Sequence, residues 1–169
     1  FMVVDFGNTR SGISIVSNGT TRFTSTIDIG GGSLTKAIEK ILKISTKEAE
    51  VIKKENNVMS RGENNEELFL TVMSIVGVLK DEINKHYVYW YTHKDQYGRK
   101  RPKIDKIILC GGDANLAGLP EYLSSGFNVA VERANVMANV NSLDSYIPEI
   151  SFNESLHYAT AIGLALRNS

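Results

Sequence analysis

Two stretches of this sequence carry residue types at a spacing that could do chemistry, Asp5-Phe-Gly-Asn-Thr-Arg-Ser11 and Ile107-Ile-Leu-Cys-Gly-Gly-Asp113. In the first, an acid at a strand end is followed by Gly7, Asn8, Thr9 and Ser11. Backbone N–H groups and the Thr9 or Ser11 hydroxyl can cup phosphate oxygens. Asp5 can hold Mg²⁺ through water, because magnesium keeps part of its hydration shell. The same residues also make a plain tight hairpin in which Asp5 only accepts turn hydrogen bonds, and the motif alone does not choose. In the second, an apolar run ends in Gly111 and Gly112, where backbone can approach a flat or charged ligand because no Cβ stands in the way. A plain strand-to-helix turn fits that stretch as well. Ligands of open α/β sheets sit at the carboxyl ends of strands, and two glycine-bearing strand ends tip the balance toward a site.

A third constellation is Glu50 and Lys53, at i,i+3 on one helix face with Lys54 alongside. A carboxylate there can accept hydrogen bonds from ribose hydroxyls while lysine stems flank a base edge. Taken alone, a solvated charged face with an ordinary ion pair is the simpler reading.

These residues need elements to position them. Residues 1–6, 12–17 and 22–28 read as three strands in meander, with Asn18-Gly19 as a two-residue hairpin turn between the second and third. Gly30-Gly-Gly-Ser33 breaks the sheet, and Ser33 is the expected N-cap of a helix whose apolar face is Leu34, Ile38, Ile41 and Leu42. A second helix starts at Ser45 or Thr46, with Glu48 placed for a capping box. After a polar stretch over 55–65, Leu68, Val72, Ile75, Val76, Leu79 and Ile83 predict a long helix from Glu66 to His86. The spacing leaves open whether Tyr87-Val-Tyr-Trp-Tyr91 closes or continues it. The stretch 93–103 holds five Lys/Arg and reads as a mobile surface loop, a solvated linker before a docking patch. A strand over 106–110, a helix over 119–124, a strand over 129–132 and a final helix from Ser151 to Arg167 complete the chain. Three meandering strands followed by alternating helix and strand is the ribonuclease H-like α/β arrangement, which many functions share. We expect 1–44 and 66–169 to form one lobe and 45–65 a small helical insertion.

Composition narrows the function classes. The 19 basic and 19 acidic residues cancel, so no global field recruits nucleic acid or an anionic membrane. No run approaches the ~18 apolar residues that cross a bilayer, and no signal-peptide pattern opens the sequence. The single cysteine, Cys110, lies inside an apolar strand and points to a reducing compartment, the cytoplasm. Phe1-Met-Val-Val-Asp5 opens directly in a strand without an initiator methionine, which we read as a piece of a longer protein.

Taken together, these motifs resemble the second half of the actin, sugar-kinase and heat-shock chaperone superfamily. Asp5-Phe-Gly-Asn-Thr-Arg-Ser11 looks like its second phosphate loop, and Gly111-Gly-Asp-Ala-Asn-Leu116 like its adenosine motif. Tyr158-Ala-Thr-Ala-Ile-Gly-Leu-Ala165 looks like its second connecting helix. The helix bearing Glu50, Lys53 and Lys54 is similar to the one that brackets ribose and adenine in DnaK-type chaperones. Within the superfamily the chain most resembles the PilM type IV pilus assembly proteins, with the cell-division protein FtsA next. Gly31-Gly-Ser-Leu-Thr-Lys-Ala-Ile38, Ser45-Thr-Lys-Glu-Ala-Glu-Val-Ile-Lys53 and the closing Ala159-Thr-Ala-Ile-Gly-Leu-Ala-Leu-Arg167 carry that likeness.

The resemblance implies an actin-like lobe that binds ATP with Mg²⁺ in a two-lobed protein. Asp5, Gly7, Asn8, Thr9, Ser11, Glu50, Lys53, Lys54, Gly111, Gly112, Asp113 and Leu116 would face the nucleotide, and Asp5 the metal through water. It also implies a cytoplasmic protein held beneath the inner membrane by the cytoplasmic tail of a PilN-like protein, which docks mainly on the other lobe. Self-association is left open, and no nucleic acid is expected. Alone, this lobe is expected neither to hydrolyse ATP nor to bind it tightly. The pattern departs from the family where Thr9 replaces a frequent second glycine, followed by Arg10, and where Asp113 replaces a small residue. These departures keep a nucleotide-free scaffold in view. A metal-dependent nuclease of the resolvase kind, with Asp5, Glu39, Asp113 and Glu154 clustered on two metals, is the alternative from another class.

Overall fold

Alternation of apolar side chains builds the centre of the molecule. In the computed structural model, which describes residues 1–55, 57–62, 65–140 and 149–168, β1 (Met2–Phe6) pairs antiparallel with β2 (Ser11–Ser17) and parallel with β4 (Lys106–Cys110). β2 pairs antiparallel with β3 (Thr20–Ile27), and β4 parallel with β5 (Ala130–Arg133). The order β3-β2-β1-β4-β5 is that of the ribonuclease H-like arrangement read from the sequence. Register sets Met2 beside Ile15 and Ile107, and Val4 beside Ile13 and Leu109. These side chains, with Phe6, form one fully buried face, because a strand's period of two sends alternate residues to the same side. Asn18 and Gly19, both at positive φ, close the β2–β3 hairpin as its sequence predicts.

Helices α1 (Gly31–Leu42) and α3 (Glu66–Thr92) pack on each other and help close the core. Leu34 and Ile38 of α1, and Leu68, Val72, Val76, Leu79 and Ile83 of α3, are buried there. Trp90 extends the same spacing one heptad past Ile83, so Tyr87–Tyr91 continues the helix rather than ending it. Phe23 of β3 packs in tilted contact with His86 and Tyr89 of α3, with ring centroids 5.5 and 5.7 Å apart. Helix α2 (Thr46–Glu55) begins in the expected capping box: Ser45 N and Oγ donate to Glu48 Oε2 at 2.9 and 2.7 Å, and Glu48 N donates to Ser45 Oγ at 3.3 Å. Part of the polar stretch 55–65 lies outside the described residues.

Two local expectations are corrected. Helix α1 starts at Gly31 with Gly30 as N-cap, not at Ser33. Its first N–H groups are drawn in by the β1–β2 loop: Gly31 N donates to the Gly7 carbonyl at 2.9 Å and Gly32 N to the Asn8 carbonyl at 2.7 Å. The final helix is broken into α5 (Phe152–Ser155), a 3₁₀ turn at Leu156–Tyr158 and α6 (Ala159–Ala165), after α4 (Leu119–Ser124). At the break, the Leu156 carbonyl accepts the Gly111 N–H at 3.1 Å, pinning the chain to the glycine turn. The basic stretch 93–103 is a mostly exposed loop, as read from the sequence, and carries internal hydrogen bonds centred on Asp95.

Candidate functional site

The C-terminal ends of β1 and β4 lie side by side, Asp5 opposite Cys110, so the two glycine-bearing strand ends open on one side of the sheet. Helix α2 arrives there by docking on α1, where Ala49 and Lys53 are its buried residues. Thr46 Oγ1 adds a tie to Glu39 Oε2 of α1 at 2.9 Å. Between these elements is a cavity of about 500 Å³, lined by Asn8, Gly32, Thr35, Lys36, Thr46, Glu50, Lys53, Lys54, Gly112, Asp113 and His157. Its size is that of a small-ligand pocket.

Lys53 organises the walls. Its side chain is 4% exposed and its ammonium lies 2.6 Å from Asp113 Oδ1, across the cavity from its own helix. It also donates to Glu50 Oε1 at 2.9 Å, Thr35 Oγ1 at 3.0 Å and the Gly31 carbonyl at 3.3 Å. One buried cation thereby joins α1, α2 and the glycine turn, and its charge is matched by a carboxylate that is itself 11% exposed. Thr35 Oγ1 donates to Glu50 Oε1 as well. Burial acts to raise the Glu50 carboxyl, but hydrogen bonds from Thr35 and Lys53 and the charges of Lys53 and Lys54 outweigh it and hold it below its ordinary value.

The glycines are close-approach positions. A Cβ on Gly31 would overlap the Asp113 carboxylate, and one on Gly112 would stand 2.6 Å from the His157 ring. Gly111 takes φ +88°, and a Cβ there would lie 2.5 Å from Asp5 Oδ1. The Asp5 carboxylate and burial together push the Cys110 thiol up to about 12, burial being the larger cause, so Cys110 is an inert core residue.

Of the residues singled out from sequence, Asn8, Glu50, Lys53, Lys54, Gly112 and Asp113 line this one cavity. Asp5, Gly7 and Gly111 sit just behind it, on the strand ends that shape it. Thr9 lies exposed on the loop. Ser11 is fully buried and donates its hydroxyl to the Ile29 carbonyl at 2.6 Å, while Leu116 belongs to the hydrophobic core. Asp113, a departure from the family pattern, is matched by Lys53. Sequence reasoning missed Gly32, Thr35, Lys36, Thr46 and His157. The run of three glycines at the N-cap and first turn of α1 was the available signal, since three together suggest close backbone approach as much as a break in the sheet. His157 carried none, because only the broken final helix brings it over Gly112.

The carboxylate cluster expected of a nuclease does not form. Among the described residues no group of three His, Cys, Asp or Glu side chains could hold a metal ion. Glu39 is bonded to Thr46, Asp113 to Lys53, and Glu154 caps its own helix at Ser151.

With this geometry in hand, the profile of the type IV pilus assembly protein PilM family matches residues 1–169. The chain belongs to the PilM family. No curated protein sequence matches it. Among solved structures it is similar to a PilM–PilN type IV pilus biogenesis complex, with TM-score 0.78 and 19% identity, covering 98% of this chain and 45% of that one. It is also similar to MreB5 of Spiroplasma citri bound to AMPPNP, with TM-score 0.62 and 17% identity, covering 99% of this chain and 54% of that one. A third is the ethanolamine utilization protein EutJ from Carboxydothermus hydrogenoformans, with TM-score 0.56 and 24% identity, covering 78% and 43%. These likenesses establish the actin-like fold. The PilM-family chain spans about half the length of the structures it matches, and the family match selects the pilus branch over the cell-division one. Among the described residues no helix is long and apolar enough to cross a membrane.

Proposed function

We propose that this PilM-family chain supplies one wall of an ATP cleft in a two-lobed protein that serves assembly of a type IV pilus inner-membrane complex. The observation that carries the reading is the convergence of Asn8, the Glu50–Lys54 helix face and Gly112-Asp113 on one cavity of about 500 Å³. Glu50 offers a carboxylate held ionised, suited to sugar hydroxyls, with Lys54 one residue beyond Lys53 on the same helix. The exposed His157 ring, lying against Gly112 at the cavity wall, offers a face on which a planar base can stack. Lys36 and Lys54 are the exposed cations of the cavity, placed to meet phosphate oxygens. Asp5, half-buried at the end of β1, fits a water-mediated Mg²⁺. When bound, that ion would neutralise phosphate charge; this chain's own residues bind and orient. Binding by both lobes would favour one interlobe arrangement over another and so act as a clamp. The partner is the cytoplasmic tail of a PilN-like protein, taken mainly by the part of the protein beyond this chain. That partnership places the protein in the cytoplasm, against the inner membrane. The PilM–PilN and AMPPNP-bound MreB5 likenesses support these assignments.

The test is a titration of the protein with mant-ATP and Mg²⁺. We expect weak saturable binding that weakens about tenfold in Lys54→Glu and in Glu50→Ala, the loss of one charge-assisted hydrogen bond each. Binding indifferent to both substitutions refutes the site, and nanomolar binding refutes the need for a second wall. A second reading, a scaffold without nucleotide, draws on two observations. The Gly31 and Gly32 amides, which could bind phosphate at a helix N-terminus, are donated to Gly7 and Asn8 instead, and Lys53 is held by Asp113. Absence of any mant-ATP signal at millimolar concentration selects it.

A further inference from the structure

The opposite end of the sheet holds a second cavity of about 500 Å³, beyond the N-terminal ends of β1 and β4, between the β2–β3 hairpin and the segment that follows α3. That segment is built rather than slack. Asp95 Oδ1 accepts the N–H groups of Tyr97 and Arg99 at 2.9 Å each, and its Oδ2 accepts Arg99 Nε at 3.0 Å. Trp90 Nε1 donates to the Pro102 carbonyl at 2.7 Å, and the Tyr91 hydroxyl accepts the Ile104 N–H at 2.7 Å. The guanidinium of Arg101 lies 4.6 Å from the Trp90 ring centre, and that of Arg99 lies 4.9 Å from the Tyr97 ring.

Three guanidiniums, Arg22, Arg99 and Arg101, line this cavity against the single carboxylate of Asp95. In a chain whose charges otherwise balance, this is a local excess of cation. Among the described residues Asp95 forms an ion pair with Arg99 and with no other cation. Among the described residues Arg101 Nε is shut from solvent without a hydrogen-bond acceptor. Arg22 is exposed and makes no ion pair among the described residues. It stands on β3, an edge strand of the sheet, whose exposed Thr20–Arg22 stretch has no strand on its outer side among the described residues. An edge with unpaired N–H and C=O groups takes an extended chain by strand addition, and arginine forks take carboxylates in bidentate pairs.

We propose that this cleft is a docking site for an acidic, extended peptide segment of a partner protein, its carboxylates on Arg22 and Arg101, the latter seated over the buried Trp90 ring, and its apolar side chains against the exposed Tyr97. The neutral chain lacks the long basic track that nucleic acid requires. The recess between hairpin and loop suits side chains rather than a flat lipid surface. The inference is independent of nucleotide binding, since the two cavities share no residue.

Trp90 is the sole tryptophan, so its emission reports on this cleft without a label. The protein is titrated with an eight-residue peptide alternating glutamate and phenylalanine, and in parallel with its lysine-for-glutamate counterpart. Saturable change in Trp90 emission is expected with the acidic peptide only, weaker at high salt and about tenfold weaker in Arg22→Glu, which lies on the exposed edge and leaves the core intact. Arg101→Lys, which keeps the charge but loses the fork, is expected to fall between wild type and Arg22→Glu. Lys40→Glu/Lys47→Glu, remote from the cleft, is expected to bind like wild type. Equal affinity for both peptides, no loss in Arg22→Glu, or an equal loss in Lys40→Glu/Lys47→Glu overturns the proposal. Tighter binding of phosphatidylserine vesicles or of single-stranded RNA through Arg22 overturns the peptide assignment.

Discussion

Replacing Lys53 by Met removes the one cation that joins α1, α2 and the glycine turn while keeping most of the side chain's volume. Four oxygens lose their shared donor: Asp113 Oδ1, Glu50 Oε1, Thr35 Oγ1 and the Gly31 carbonyl. Breaking a buried pair from one side costs about 3–5 kcal/mol, because a desolvated charge is left unmatched. Asp113, at 11% exposed, bears that cost, whereas Glu50, at 33%, recovers water and is given none. The lower end, about 3 kcal/mol, is therefore the expected loss. With a urea slope of about 2 kcal/mol/M, the unfolding midpoint should fall by roughly 1.5 M, followed by circular dichroism. The control Lys54→Met, one residue on and exposed, should shift it by less than about 0.3 M. Adding Asp113→Asn to Lys53→Met removes the stranded charge, so the double variant should regain at least half of the loss. A Lys53→Met cost below about 1 kcal/mol, or strictly additive single losses, would refute the view that this ion pair holds α2 to the sheet.

Other outcomes follow from the same geometry. Glu50 has a folded-state pKa depressed below its ordinary 4.5, so its contribution to stability is full above 4.5 and is lost as pH falls through the lower folded value; Glu50→Gln should lower stability at neutral pH, flatten the acid limb of a stability–pH curve below 4.5 and converge with wild type at the acid end. Gly31→Ala should destabilise by about 2 kcal/mol despite alanine's better helix propensity, because its Cβ displaces the Asp113 carboxylate from Lys53, whereas Gly163→Ala on α6, with open space around it, should raise the melting temperature by a few degrees, about 0.5–1 kcal/mol. Cys110, with its thiol near 12 and only 7% exposed, should resist a disulfide reagent at pH 8 in the folded protein and react fully in denaturant; rapid reaction in the native state would contradict its placement.

How far the sequence could be read depended on range. Alternation in Ile13-Ser-Ile-Val16 and helical spacing in α3 are local signals, and both reported their elements, as did the Asn18-Gly19 turn and the Ser45–Glu48 capping box. The boundaries that failed are those where a distant group competes for backbone hydrogen bonds. Carbonyls of Gly7 and Asn8 move the start of α1 forward, and the Gly111 N–H draws off the Leu156 carbonyl where the last helix breaks.

The sequence by itself determined the strand and helix order, the family, and the three segments that meet at the cavity, because each is written in a few neighbouring residues. Only the tertiary structure decided what those residues do. Ser11 and Leu116 turned inward because register and packing, not residue type, fix the face a side chain takes. Lys53 and Asp113, sixty residues apart in the chain, became one buried pair because folding set their side chains 2.6 Å apart in a site with little water to screen them.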